Sequence, residues 1–100
     1  MKTVTICGSM RFEKKMRDIA WKLETQYGMN VLQCTYSPEN AVVDPQMLRN
    51  LEAAHYRKID LSDAVYVVDI GGYLGESTKK EIAYARQRGR EVIFHSAFMK

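Results

Sequence analysis

The sequence predicts a single α/β domain, residues 1–100, with a parallel sheet of about four strands and helices on both faces. Three observations lead to this prediction. Short apolar runs rich in β-branched residues alternate along the chain with longer segments in which apolar residues recur at helical spacing. The resulting order, β-α-β-α-β-α-β, is typical of parallel sheets whose strands are joined by helical crossovers. A length of 100 residues also suits one domain.

Two strands and an amphipathic helix are predicted in the first third of the chain. Residues 3–7 form the first strand, which Gly8 and Ser9 end, and residues 30–34 form the second. Ser9 can cap the start of the helix between them, and Gly28 can end it. The apolar residues on one face of this helix are Phe12, Met16, Ile19, Ala20, Leu23 and Tyr27.

The second helix follows a loop at residues 36–40. Asp44 and Pro45 are typical of an N-cap and a first turn, and the helix is expected to reach about Leu61. Residues 63–70 are apolar and β-branched, which predicts a buried third strand. One line along the helix carries Leu48, Leu51, His55 and Ile59.

A glycine-rich loop from Gly71 to Thr78 leads from the third strand into a helix at about residues 77–88, and residues 91–94 form the fourth strand. We expect a small doubly wound, flavodoxin-like sheet with the strand order 2-1-3-4. The switch point then lies between strands one and three. The turn at Gly8 and Ser9 and the loop at 71–78 therefore line one crevice, where ligands bind in such sheets.

The turn after the first strand offers three candidate ligand-binding residues. Gly8 lets a ligand approach the backbone, Ser9 offers a hydroxyl, and Arg11 can fork onto a phosphate or a carboxylate. The same residues also fit a tight strand-to-helix turn with a serine cap and a surface arginine.

The second loop carries further candidates. Backbone N–H groups from Gly75 onwards, with the hydroxyls of Ser77 and Thr78 at a helix start, suit an anion such as phosphate, although the spacing of a P-loop is absent. Simple helix capping explains the same residues. Glu81, one turn further, can act as a nucleophile or a base, but Thr78 to Glu81 also fits a capping box.

Three more residues near this crevice can carry chemistry. Asp69, at the end of the third strand, can bind a hydroxyl, orient a base, or merely cap the loop. His55 is either a catalytic residue or a part-buried histidine with a satisfied ring. Tyr73 can stack on a base or close over a ligand if it is exposed.

Composition and charge exclude several classes of function. The net charge of +3 is mild and its basic residues are dispersed, so no nucleic-acid partner is expected. Neither a membrane-spanning run nor a signal peptide is visible, which predicts a cytoplasmic protein without membrane contact.

Cys7 and Cys34 are expected to be reduced core thiols, and the spread of two cysteines and two histidines predicts no metal site. No cofactor is expected. Because the core of so short a chain is modest, a homodimer or larger homo-oligomer is expected.

Three motifs together resemble the nucleoside 2-deoxyribosyltransferase-like superfamily, near its 2′-deoxynucleoside 5′-monophosphate N-glycosidase branch. Residues 7–11, C-G-S-M-R, are similar to the family's opening C-G-S-[IM]-R. Residues 63–68, D-A-V-Y-V-V, are similar to its (A)D-x-V-V strand. Residues 75–85 and 89–93 are similar to its glycine-rich loop, its glutamate helix and the strand that follows.

The resemblance implies an enzyme that cleaves or exchanges the N-glycosidic bond of a nucleoside or nucleotide. Glu81 would be the nucleophile that attacks C1′ of the sugar, as in retaining glycosidases. Gly8, Ser9 and Arg11 would hold the sugar or phosphate, and Ser77 the 5′-phosphate. The chain departs from the family pattern at His55, where the family has an aspartate, and at Thr5, where it often has a tyrosine.

Two functions therefore follow from the sequence. The first is a nucleoside or nucleotide N-glycosidase or deoxyribosyltransferase-like enzyme that acts through Glu81. The second, which His55 favours, is a nucleotide-binding or sensing module of the same fold without turnover. A structural or interaction domain, in which the loop at 71–78 only caps a helix, is a third and weaker alternative.

Overall fold

The structure, a computed structural model, describes residues 1–99, which contain four strands and four α-helices. Short 3₁₀ turns precede the first helix and follow the third strand, at Met10–Phe12 and Ile70–Gly72. The strands are Thr3–Cys7 (β1), Asn30–Leu32 (β2), Ala64–Val67 (β3) and Glu91–Phe94 (β4), and the helices are Glu13–Thr25 (α1), Pro45–Asp60 (α2), Glu76–Gln87 (α3) and His95–Phe98 (α4).

The four strands form one parallel sheet in the order β2-β1-β3-β4, which confirms the predicted doubly wound fold. In the centre of the sheet, Val4 to Cys7 of β1 pairs with Ala64 to Val67 of β3. Since both strands run in the same direction, the turns that follow Cys7 and Val67 emerge at the same edge. The crevice expected between the first and third strands lies at this edge.

Alternate residues of the strands supply two separate hydrophobic layers, because successive side chains of a strand point to opposite faces. On one face, Ile6 and the fully buried Tyr66 pack with α1 through Met16 and Leu23. On the other face, Val65 and Val67 pack with Ile59 of α2 and with Ile82 and Ala85 of α3. Helices therefore cover both faces, as the sequence predicts.

The amino-terminal half of α2 extends away from this core. Ile59 is the one residue of the helix that is fully buried, whereas Met47 and Leu48 are about half exposed. The predicted apolar line from Leu48 to Ile59 is thus buried at its carboxyl-terminal end only. Its other end faces a cavity beside α3 that is large enough for a small ligand. The same helical spacing therefore places apolar side chains both in the core and along the cavity.

Several predicted boundaries differ from the structure. β2 ends at Leu32, where the chain leaves the sheet and turns towards the cavity. β3 ends at Val67, ahead of a 3₁₀ turn. Ser9 accepts a hydrogen bond from the Arg11 N–H at 3.4 Å, so it caps the 3₁₀ turn that precedes α1. The carboxyl-terminal tail forms the short helix α4.

No helix within residues 1–99 combines the length and the apolar character needed to cross a membrane.

Candidate active site

A cavity of about 480 Å³ lies at the carboxyl edge of the sheet, between α2, α3 and the turn after β1. Sites for small molecules in proteins typically measure about 300–1,000 Å³. The cavity brings together most of the residues predicted from the two loops. Its lining includes the predicted Gly8, Ser9, His55, Gly75, Ser77, Thr78 and Glu81.

Helix α3 begins at the cavity without a side-chain cap. Gly75 is its N-cap residue, and Glu76, Ser77 and Thr78 form the first turn. The first N–H groups of an α-helix have no partner inside the helix, and the dipole there favours an anion. The start of α3 therefore offers backbone donors beside the hydroxyls of Ser77 and Thr78.

The capping-box interpretation of Thr78 and Glu81 is wrong. Thr78 is the third residue inside α3, because the helix begins at Glu76 and its cap is Gly75. The carboxylate of Glu81 instead lies against His55, with 3.3 Å between Oε1 and Nε2. Glu81 is thus a carboxylate in the cavity lining, with its side chain 16% exposed.

His55 connects Glu81 to the end of β1. Its Nε2 atom lies 3.5 Å from the sulfur of Cys7 as well as 3.3 Å from Glu81. Its position on α2 follows from helical spacing, because Ile59, one turn later, is buried against the sheet. The three side chains come from β1, α2 and α3 and form one cluster, defined here as the Cys7–His55–Glu81 cluster.

Both thiols near the cavity are neutral around pH 7. Burial, reinforced by the charge of Glu81, raises the pKa of Cys7 well above its usual range. Burial and Glu81 likewise raise the pKa of Cys34 to about 11, although Lys58 opposes the shift. Because the thiolate is the reactive form of cysteine, Glu81 is a better candidate nucleophile than Cys7. Cys7 and Cys34 are free thiols, and Cys7 is buried as expected, whereas Cys34 is only partly buried.

The turn after β1 needs a glycine at position 8. A Cβ atom there would lie 2.8 Å from the sulfur of Met16 and 3.2 Å from the Cβ of Val68. The backbone therefore passes close to α1, and Ser9 lies in the cavity lining. The tight-turn and ligand-approach interpretations of Gly8 are therefore compatible.

Arg11 and Tyr73 pair with each other and do not line the cavity. The guanidinium carbon of Arg11 lies 4.0 Å from the centre of the Tyr73 ring, and Phe12 packs on the same ring edge-on. The Tyr73 hydroxyl comes within 3.7 Å of the point where a Cβ on Gly75 would stand. The pair thus lies beside the start of α3, next to the cavity.

Asp69 has a structural role in place of the catalytic one suggested by the sequence. Its two carboxylate oxygens accept hydrogen bonds from the backbone N–H and the hydroxyl of Ser96, at 2.8 and 2.6 Å. Both oxygens are thereby used in holding the start of α4. Asp69 is not part of the cavity lining among residues 1–99.

Several cavity residues were missed from the sequence. Lys58 binds the carbonyl of Gln33 and the hydroxyl of Thr35, and so holds the chain after β2 against α2. Glu52 and Lys58 stand three residues either side of His55, so helical spacing from His55 is the signal that would have found them. The missed lining residues include Cys34, Leu48, Leu51, Glu52 and Lys58.

The sheet order and the position of the cavity define a doubly wound, flavodoxin-like α/β protein with a site at its switch point. No protein-family model and no curated protein matches the chain. Among solved structures, the chain is similar to a conserved protein from Enterococcus faecalis V583, with a TM-score of 0.65 and 17% identity. The match covers 94% of this chain and 62% of that one, so this chain spans less than two thirds of the neighbour's length. At this identity the likeness shows the fold.

Proposed function

We propose that the protein is an N-glycosidase or deoxyribosyltransferase-like enzyme that cleaves the N-glycosidic bond of a nucleoside or nucleoside 5′-monophosphate. One observation carries the proposal. The carboxylate of Glu81 stands in a nucleotide-sized cavity, 3.3 Å from an imidazole and on the same helix as an uncapped N-terminus. A carboxylate is the usual nucleophile where the transition state is an oxocarbenium ion.

The proposed reaction has two steps. An oxygen of Glu81 attacks C1′ of the sugar, the C1′–N bond breaks, and its electron pair stays with the base. The protonated form of His55 supplies a proton to the departing base. Water, or the nitrogen of a second base, then attacks C1′, its proton returns to His55, and the carboxylate of Glu81 is released.

The 5′-phosphate is proposed to bind at the start of α3. The N–H groups of its first turn and the hydroxyls of Ser77 and Thr78 offer several hydrogen-bond donors in one place. Ser9 lies in the same lining and can reach the sugar or the phosphate. Arg11, stacked on Tyr73, is available to supply a positive charge at the edge of this site.

A nucleotide-binding module without turnover is the second candidate. The observation that favours it is that the residue beside Glu81 is His55, at the position where the resembled family has an aspartate that helps to orient the sugar. This alternative uses the same phosphate and sugar contacts. The two candidates differ in whether the base is released.

Association into a homo-oligomer and a cytoplasmic location belong to the same proposal. The segment before and within the start of α2 exposes several apolar side chains, including Val42 at 87% and Met47 at 45%. Burying them between two copies would remove apolar surface from water. Light scattering should then report an oligomer for the wild type, and the double variant Val42→Lys with Met47→Lys should dissociate it. A monomeric wild type would contradict this.

The proposed cytoplasmic location rests on the free thiols, which suit a reducing compartment.

The test of the proposed function is a panel of ribo- and deoxyribonucleosides and their 5′-monophosphates, with the free base measured by chromatography. The enzyme should release base from at least one of them, and Glu81→Gln should abolish the release. Glu52→Gln is the matched control, because Glu52 lines the same cavity but is exposed and lies on α2, outside the proposed phosphate site. Calorimetric binding of a nucleotide without base release would favour the second candidate. Neither binding nor release would overturn both.

A further inference from the structure

We propose that Cys7, His55 and Glu81 form a binding site for one zinc-like divalent cation. The three residues each present one ligand atom, and these atoms all lie within 4.8 Å of one another. They are the sulfur, imidazole and carboxylate donors that zinc uses in proteins. The thiol favours zinc and similar metals over magnesium or calcium, which prefer oxygen ligands alone.

Two of the three distances within the cluster match the edges of a tetrahedral zinc site. Zinc bonds of about 2.3 Å to sulfur and about 2.0–2.2 Å to nitrogen and oxygen place S and N about 3.5 Å apart, and N and O about 3.4 Å apart. The observed distances are 3.5 Å from Cys7 Sγ to His55 Nε2 and 3.3 Å from that nitrogen to Glu81 Oε1. The third distance, from Cys7 Sγ to the Glu81 carboxylate, lies within 4.8 Å, and binding of a cation would draw these two atoms together.

The hydrogen bonds available to the three side chains are long, and a cation would replace them. The single atom Nε2 of His55 faces both a thiol and a carboxylate. When Nε2 carries the proton it donates to Glu81, and the Cys7 thiol, a weak donor, turns to the carbonyl of Thr5 at 3.9 Å. A cation would accept electron pairs from all three atoms, and the thiol proton would leave for solvent.

The charge balance at the cluster also favours a bound cation. Within residues 1–99, Glu81 has no lysine or arginine partner, and its one ion-pair contact is with His55. The nearby Lys58 is directed at the carbonyl of Gln33 and the hydroxyl of Thr35. A divalent cation would supply the positive charge that this part-buried carboxylate lacks.

The site would keep one position open towards the cavity. His55 and Glu81 belong to the cavity lining, whereas Cys7 lies behind them and is fully buried. Three protein ligands with a free fourth position is the arrangement of metal sites that also bind water or an anion. A cation there would engage Glu81, so the metal-bound form would not perform the proposed glycosidic attack.

The experiment measures metal binding, so it does not depend on the proposed function. Chelator-treated protein would be titrated with Zn²⁺ against a chromophoric chelator and with Co²⁺ under absorption spectroscopy. We expect one ion per chain and a thiolate-to-cobalt charge-transfer band. Cys7→Ser should remove the band, and both Cys7→Ser and His55→Gln should weaken zinc binding at least about tenfold.

Cys34→Ser is the matched control, because Cys34 is the other thiol at the cavity but lies outside the cluster. It should keep both the band and the zinc affinity. Circular dichroism would establish that the variants fold, and His55→Gln provides the test if Cys7→Ser does not. The absence of stoichiometric binding, or a cobalt band that persists in Cys7→Ser and disappears in Cys34→Ser, would overturn the proposal.

Discussion

The imidazole of His55 lies 3.3 Å from the carboxylate of Glu81, although the two residues belong to different helices. This contact fixes the direction of the carboxylate in the cavity, and in the proposed reaction His55 is the proton donor to the departing base. His55→Gln keeps a polar side chain but cannot carry a positive charge. We expect it to lower kcat for base release at least about tenfold with little change in KM, as for loss of a general acid.

His95→Gln is the matched control for that measurement, because it alters the other histidine, which lies outside the cavity lining. It should leave kcat unchanged. Equal kcat values for His55→Gln and the wild type would remove His55 from the mechanism.

The hydroxyl pair of Thr5 and Ser62 predicts an asymmetric loss of stability. The two oxygens are 2.6 Å apart and buried, and Ser62 donates to the carbonyl of Lys58 at 2.8 Å. Thr5 is then the donor within the pair. Ser62→Ala would leave that buried donor without a partner, at a cost of about 1–3 kcal/mol in the free energy of unfolding. Thr5→Val leaves Ser62 its bond to Lys58 and should cost less. Urea denaturation checks the order, and a larger loss in Thr5→Val would contradict it.

Gly8→Ala should reduce both stability and activity. The new methyl group would meet the Met16 sulfur at 2.8 Å and Val68 at 3.2 Å, so the Met16 side chain or the turn must shift. Overpacking of this kind costs about 1–3 kcal/mol. Gly89→Ala is a useful comparison, since nothing lies within 4 Å of its added Cβ but its φ of +70° disfavours alanine. Both variants should lower the thermal midpoint, while Gly8→Ala alone should lower kcat/KM. Unchanged kcat/KM in Gly8→Ala would contradict this.

His95 predicts a loss of stability under mildly acidic conditions. Burial lowers the pKa of His95 below its usual value, Lys22 adds to this and Asp69 opposes it, while Nδ1 lies 2.7 Å from the Tyr66 hydroxyl. The unfolded chain therefore takes up the proton more readily than the folded chain. The contribution of His95 to stability is present above the unfolded pKa of about 6.5 and is lost as the pH falls below it.

Urea denaturation of the wild type and His95→Gln at about pH 7.5 and about pH 5.5 measures this contribution. The wild type should lose more of its free energy of unfolding than the variant, because groups common to both cancel in the comparison. Equal losses in the two proteins would contradict the prediction.

The sequence was sufficient for the topology because its alternating patterns are strong and local. The strands at Thr3–Cys7 and Glu91–Phe94 and the apolar face of α1 follow from residue spacing alone. The meeting of the two loops also follows, since the turns after β1 and β3 must emerge at one edge of a parallel sheet. Six predicted residues from these two turns and the helix that follows β3 consequently share one cavity.

The chemistry inside the cavity depends on contacts that no local pattern encodes. Cys7 and His55 are separated by 48 positions, and the way α2 packs beside α3 decides that they meet Glu81. The S/T-x-x-E pattern fits a helix cap and a carboxylate in a cavity lining equally well, so only the observed start of α3 at Glu76 distinguishes the two. For Asp69, the partner is Ser96 in a short helix that the sequence did not predict.

The most direct test of the central claim is detection of the covalent intermediate on Glu81. The enzyme would be quenched with acid during turnover of a 2′-deoxynucleoside 5′-monophosphate and digested, and its peptides would be analysed by mass spectrometry. We predict a deoxyribosyl phosphate adduct on the peptide that contains Glu81, and none in Glu81→Gln. Base release that continues undiminished in Glu81→Gln, or an adduct on any other residue, would contradict the account.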